Sequence, residues 1–354
     1  MSIIFAILLF SLLIFVHELG HFMAAKASNV QVNEFAMFMG PAIWKKQKGE
    51  TLYSIRCIPI GGFCAMEGED SDTENPRSFQ KAAWWKRLII LVAGSAMNFL
   101  VGILIMVIVF LPMQQAVMPT ISSFEKGCTL NAEGGLQVGD TFLEVDGEKI
   151  YVQSDFTTIL ALNPGDVHDL VVERNGKKVE LKNFKMEKHE FPNEDGTTSQ
   201  RFGFSFTVAQ NFTFADKISY AWKNVLNAGR LVRLSLQMLL TGEAGVSDMS
   251  GPVGIVGQMN QVAQNSPTFL DALMNMLYFG GFLAINLAIM NLLPIPALDG
   301  GRVLALLITT AFVKITGKEI DPKYEGYIHG IGMVLLLLLM AVIMFKDIFV
   351  IFKG

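Results

Sequence analysis

His17 and His21 stand four residues apart with Glu18 between them, in the pentapeptide His-Glu-Leu-Gly-His. On a helix that spacing puts both imidazoles on one face, one turn apart, where they can converge on one zinc ion. Glu18 then lies beside the metal and not on it, placed to take a proton from an attacking water. The pattern alone arises by chance on the order of once in a hundred chains of this length. Its setting gives it weight. The run Ile3 to Ala25 is otherwise apolar, and a charged residue at the centre of a membrane span costs roughly 2.5–3.5 kcal/mol, so ionisable groups there point to function. The plain alternative is a polar cluster that only packs helices, with Gly20 opening the face to a close neighbour.

Two histidines leave a catalytic zinc short of its usual three protein ligands. Among the other carboxylates in apolar surroundings Asp299 stands out, in the stretch Asn291-Leu-Leu-Pro-Ile-Pro-Ala-Leu-Asp-Gly-Gly301. Pro294 and Pro296 forbid regular helix there, so a break in the third span could present Asp299 to the metal. Asp271 is the poorer candidate, at the opposite end of the same span. His329 reads as an interfacial residue opening the fourth span, and His168 and His189 belong to a soluble insert, each in a structural role.

These residues sit in a chain of 354 residues that is 51% hydrophobic and 17% charged, with a mean hydropathy of +0.42. That is the composition of a membrane protein. A net charge of -4 offers no excess of Lys and Arg to neutralise phosphates, which sets nucleic acid aside as a partner. Cys57, Cys64 and Cys128 have neither the number nor the spacing of a disulfide framework or thiolate zinc site. Four apolar runs, Ile3 to Ala25, Leu88 to Leu111, Phe269 to Leu293 and Ile328 to Phe349, are each long enough to span the ~30 Å hydrocarbon layer. The first has no basic leader and no small-residue cleavage site, so it reads as a retained helix. Lys26, Lys45, Lys46, Lys48, Arg56, Arg77, Lys81, Lys86 and Arg87 all fall between spans one and two. The positive-inside rule makes that segment cytoplasmic and both termini extracytoplasmic.

Within that segment Val30 to Phe38 and Thr51 to Ile60 read as strands, separated by a Gly40-Pro41 turn signal and a basic stretch ending at Gly49. A hairpin near the bilayer must lean on the helices to satisfy its backbone. Between spans two and three, short β-rich runs alternate with the turn dipeptides Asp146-Gly147 and Asn175-Gly176 as far as Val208. From Asp216 to Leu240 apolar and basic residues interleave, the pattern of an amphipathic helix at the interface.

HELGHFMAAK in span one, IPIGGFCAMEGE after the hairpin, AGSAMNFL in span two and NLLPIPALDGG in span three occur in the order of the site-2 protease family. The chain resembles that family of intramembrane metalloproteases, in particular its RseP-type branch. Ala132 to Ile150, AEGGLQVGDTFLEVDGEKI, is similar to the PDZ domains of bacterial proteases. The resemblance implies one zinc ion held by His17, His21 and Asp299, Glu18 as general base, and Asn291, Asn286 and Asn98 as substrate or transition-state residues, for which helix packing is the competing role. It implies a hairpin whose edge pairs with an extended substrate, and a bacterial inner-membrane enzyme acting on single-span proteins of the anti-sigma-factor or remnant-signal-peptide class in an envelope stress response. The expected fold class is a multi-pass α-helical membrane protein with four transmembrane helices, a membrane-associated β-hairpin on the cytoplasmic side and an inserted PDZ-like α+β domain. Its expected divisions are 1–112 with spans one and two, 113–208 as the PDZ-like domain, 209–267 as the amphipathic helix and linker, and 268–354 with spans three and four. The insert has room for one PDZ domain where relatives from enteric bacteria carry two, and a peptide ligand for it is an implied partner beside the substrates and the bilayer. The rival readings are a metal transporter, which would pass zinc between paired histidines, and an inactive PDZ scaffold, which would tolerate loss of Glu18.

Overall fold

The protein, described by a computed structural model over residues 2–69, 73–193, 197–245, 248–318 and 322–353, begins with helix α1 (Ser2–Ala27), strands β1 (Val32–Lys48) and β2 (Thr51–Met66), and helix α2 (Trp84–Phe110). Strands β3 (Gln115–Phe124), β4 (Thr141–Val145) and β5 (Glu148–Lys149) come next, then helix α3 (Gln153–Leu162). Strands β6 (Val167–Arg174), β7 (Lys177–Lys185), β8 (His189–Pro192), β9 (Thr198–Arg201) and β10 (Phe204–Gln210) follow. Helices α4 (Phe214–Thr241), α5 (Pro252–Gln264), α6 (Phe269–Asn291), α7 (Asp299–Thr316) and α8 (Pro322–Lys353) complete the chain. Among the described residues four helical stretches are long and apolar enough to cross a bilayer: Ile3–Ala27, Trp84–Phe110, Phe269–Asn291 and Tyr324–Val350. Each lies where a span is predicted. Together with the sheet-rich middle they make this a membrane protein with a β domain.

Residues 1–106 and 228–354 form one compact unit and 107–227 another. In the first, α1, α5 and α6 share a core of Ala6, Leu9, Leu13, Met259, Met276, Leu283 and Ala284. Helices α1 and α2 come together at Gly20, where a Cβ would collide with the Ala93 carbonyl. The stretch 209–267 holds a second helix, α5, in place of an open linker. Pro252 at its first turn starts it. Asp347 of α8 accepts the Gly251 and Gly254 amides at 2.8 and 2.9 Å, a carboxylate cap on backbone donors that a helix start leaves free.

The hairpin differs from its sequence reading. Gly40-Pro41 does not turn the chain: β1 continues through it with irregular register, Phe38 and Gly40 taking positive φ, and the reversal comes at Gly49-Glu50. The bends fold the ribbon on itself, so that Glu34–Met37 has Leu52–Ile55 as ladder partners and Gly62–Ala65 as well. Val30, Val32, Phe35, Cys64 and Met66 bury against Ala25, Ile90, Leu91 and Leu306 of the helices. The ribbon is thus packed on α1, α2 and α7, which meets the demand that backbone near a bilayer be supported by protein.

In the second unit the strand order is β10-β3-β4-β6-β7, with β5 paired to β4. Asp146-Gly147 and Asn175-Gly176 take positive φ at both positions, as tight hairpin turns require. Phe142 and Phe156, both about fully buried, join α3 to the sheet at a ring separation of 4.6 Å. Buried Asp140 is held by Arg174 at 2.6 Å.

Candidate metal centre and active site

Helix α1 is apolar on nearly every side apart from His17, Glu18 and His21, and α7 begins at Asp299 after a break that Pro294 and Pro296 impose. The break is pinned from two sides. The Ala297 amide, at a backbone φ of +80°, donates to His329 Nδ1 at 3.1 Å, and Arg302, one turn beyond Asp299, is ion-paired with Glu69. His329 is buried and ties α8 to this loop. Its partner lies 32 residues away, and only the folded chain reveals the pairing.

His17 Nε2 and His21 Nε2 are 3.1 Å apart, and Asp299 Oδ2 stands 3.1 Å from the first and 3.4 Å from the second. Among the described residues this is the group whose ligand atoms cluster as a metal needs. Two ligands bound at ~2.0–2.1 Å to a tetrahedral zinc are about 3.3 Å apart, so the three separations match the edges of such a site. Protons alone leave the triangle poorly satisfied: Asp299 Oδ2 is buried and receives no properly directed hydrogen bond. The His21 ring is oriented from behind. Its Nδ1 lies 2.8 Å from the Ile90 carbonyl, which can only accept, so the proton is on Nδ1 and the lone pair of Nε2 faces the triangle. The residues present therefore fit zinc.

Gly94 of α2 lets the rings in. A Cβ there would strike His21 Nε2 and His17 Cε1. Glu18 is not a corner of the triangle; the Cys64 amide of β2 hydrogen-bonds to its carboxylate, and Gly62 leaves the room beside it. Asn98 is buried at 1% exposure, with its amide nitrogen 3.5 Å from His17 Nδ1. Asn286 and Asn291 are half-buried on α6, Asn291 as its last residue. Asp271 lies apart from the triangle, in the first turn of α6, where it is bonded to Thr268 at 2.7 Å. The sequence reading assigns no role to Gly94, Glu69, Arg302 or the Ile90 carbonyl; Gly94 and Glu69 lie within the AGSAMNFL and IPIGGFCAMEGE segments, but none of the four belongs to a ligand pattern that would say what it does.

The model of peptidase family M50 matches residues 5–339. The chain belongs to that family, the site-2 proteases. A Clostridium acetobutylicum protein whose provisional name is zinc metalloprotease is 34% identical over 98% of this chain and 97% of its own length. The regulator of sigma-W protease RasP of Bacillus subtilis is 28% identical over 98% of each chain, and the zinc metalloprotease RasP of Oceanobacillus iheyensis is 29% identical over the same shares. As an M50 peptidase with four apolar helices, this is a zinc-dependent metalloprotease of a bacterial membrane, and its partners are membrane proteins and the lipid around it.

Proposed function

We propose that the enzyme hydrolyses peptide bonds inside the transmembrane segments of single-span proteins, with His17, His21 and Asp299 as zinc ligands and Glu18 as general base. The observation that carries this is the triangle of ligand atoms with 3.1–3.4 Å edges between apolar helices. Zinc bound there supplies a Lewis acid that polarises the scissile carbonyl and makes the attacking water more acidic. Glu18 takes the proton from that water on a carboxylate oxygen and returns it to the leaving amide nitrogen. The Cys64 amide holds the carboxylate in place for both transfers. Asn291 closes α6 and Asp299 opens α7, so the two residues flank the same break in the helix. That supports a role for Asn291 in binding substrate or the developing oxyanion, and Asn286, five residues earlier on the same helix, is proposed beside it.

A helical substrate shields its own peptide bonds and must be extended before attack. The segment Gly62–Ala65 has Glu34–Met37 as its ladder partner and reaches Glu18 through Cys64. A substrate strand laid along it passes the base and regains the hydrogen bonds it lost on unwinding. The basic residues between α1 and α2 support a cytoplasmic ribbon, with the insert and both termini outside. The insert, read as PDZ-like, carries a cavity of about 720 Å³ whose lining includes Thr157 and Leu160 of α3, the basic Lys188, the acidic Asp166 and Glu187, and Phe202; a peptide ligand of the insert is proposed for that cavity. Anti-sigma factors and remnant signal peptides are the substrate class, within an envelope stress response, a reading supported by the sigma-W regulator among the relatives. Membrane-fraction proteomics of cells carrying wild type or Glu18→Gln tests the proposal. Single-span fragments should persist only in the variant, and identical fragment inventories would refute it.

A further inference from the structure

We infer that Asn98 is a positioning residue of the metal centre: its side-chain carbonyl accepts the Nδ1 proton of His17 and so keeps Nε2 of that ring in the ligating tautomer. The inference rests on the zinc reading of the triangle. A neutral imidazole that ligates through Nε2 carries its proton on Nδ1, and that proton needs an acceptor. His21 has the Ile90 carbonyl. Behind His17 the facing group is the Asn98 amide, with Nδ2 at 3.5 Å from Nδ1, which sets two donors against each other whenever Nε2 binds metal. In the same amide, Oδ1 is buried without a partner. A half-turn about the last side-chain torsion of Asn98 removes both faults at once, bringing Oδ1 to the Nδ1 proton.

The placement on α2 supports this role. Ile90, Gly94 and Asn98 recur every four residues and form one stripe of the helix. The Ile90 carbonyl serves His21, Gly94 makes room for both rings, and Asn98 serves His17. The Ile90 carbonyl is accessible because Gly94, one turn on, has no side chain to cover it. Asn98 faces the rear of the His17 ring, away from Nε2, and at 1% exposure it has no open surface for substrate. A neutral amide also does this without adding a charge to a membrane span.

The test compares purified full-length wild type, Asn98→Asp, Asn98→Leu and Asn98→Ala in lipid nanodiscs. Zinc affinity is read by competition with a chromogenic chelator, and ligand geometry by the visible absorption of the cobalt-loaded proteins. Leu and Ala, which offer no acceptor, should weaken zinc by ~10–100-fold and alter the cobalt spectrum, whereas Asp should stay within about threefold of wild type. Asp falling with Leu and Ala would show that the amide acts as a donor and overturn the inference. So would unchanged zinc affinity in the Leu or Ala protein. If the Leu chain does not fold, Ala and Asp make the same comparison. Failure of wild type itself to bind zinc or cobalt would instead strike the zinc reading beneath it.

Discussion

Gly94 and Asp299 both border the two imidazoles, and both can be tested by what they do to metal. Gly94→Ala forces a methyl against His21 Nε2 and His17 Cε1, and overpacking of this kind costs about 1–3 kcal/mol, a loss of ~10–100-fold in zinc affinity if all of it falls on the bound state. Chelator competition on the purified variant checks this. Asp299→Ala should lower zinc retention far more than Asp271→Ala, since Asp271 is engaged with Thr268 at a helix start; equal metal content in the two would remove Asp299 from the site. His17, Glu18 and His21 are legible in the sequence because helical periodicity converts a spacing of four into a shared face. Asp299 is legible because two prolines mark where the helix must break. Gly94 and the Ile90 carbonyl are not, since an absent side chain and a backbone oxygen acquire meaning only when α1 and α2 are packed.

The ribbon of β1 and β2 is anchored at its turn by Glu50, which lies 2.5 Å from Arg77 and 2.6 Å from Lys26. The Arg77 hydrogen bonds, followed by that from Lys26, hold the Glu50 carboxyl down at about 2. A depressed carboxylate stabilises the fold fully above its ordinary value near 4.5 and loses that contribution progressively as pH falls through about 2. Amide exchange at the ribbon turn should therefore quicken as pH is lowered below about 4.5, after correction for intrinsic rates, and Glu50→Gln should flatten that dependence. A wild-type profile superimposable on the variant's would refute the role of the triad. The four spans were readable from length and hydropathy. The ribbon's true turn was not, because Gly40-Pro41 carries every local sign of one, and packing of Phe35 and Cys64 on the helices draws β1 onward instead. Helix α5 was hidden for a related reason: its cap is the carboxylate of Asp347, which lies on α8.

At the scale of the whole molecule, all three corners of the triangle and Glu18 belong to the unit formed by residues 1–106 and 228–354, and none to residues 107–227. Replacing 113–208 by a short linker should thus leave zinc bound at wild-type stoichiometry, read by metal analysis of the purified deletion protein; loss of zinc from a folded chain would show that the insert is needed to build the site. A cysteine placed at Lys46 should react with an impermeant thiol reagent only after the cytoplasmic face is opened, and labelling in intact cells would invert the proposed orientation. The central claim is the division of labour between a metal triangle and a separate base. Its most direct test is zinc content and cleavage of a transmembrane peptide measured side by side in purified wild type and Glu18→Gln. The account predicts equal zinc in both and cleavage reduced by ~10²–10⁴-fold in the variant; wild-type cleavage by Glu18→Gln, or loss of its zinc together with activity, would contradict it.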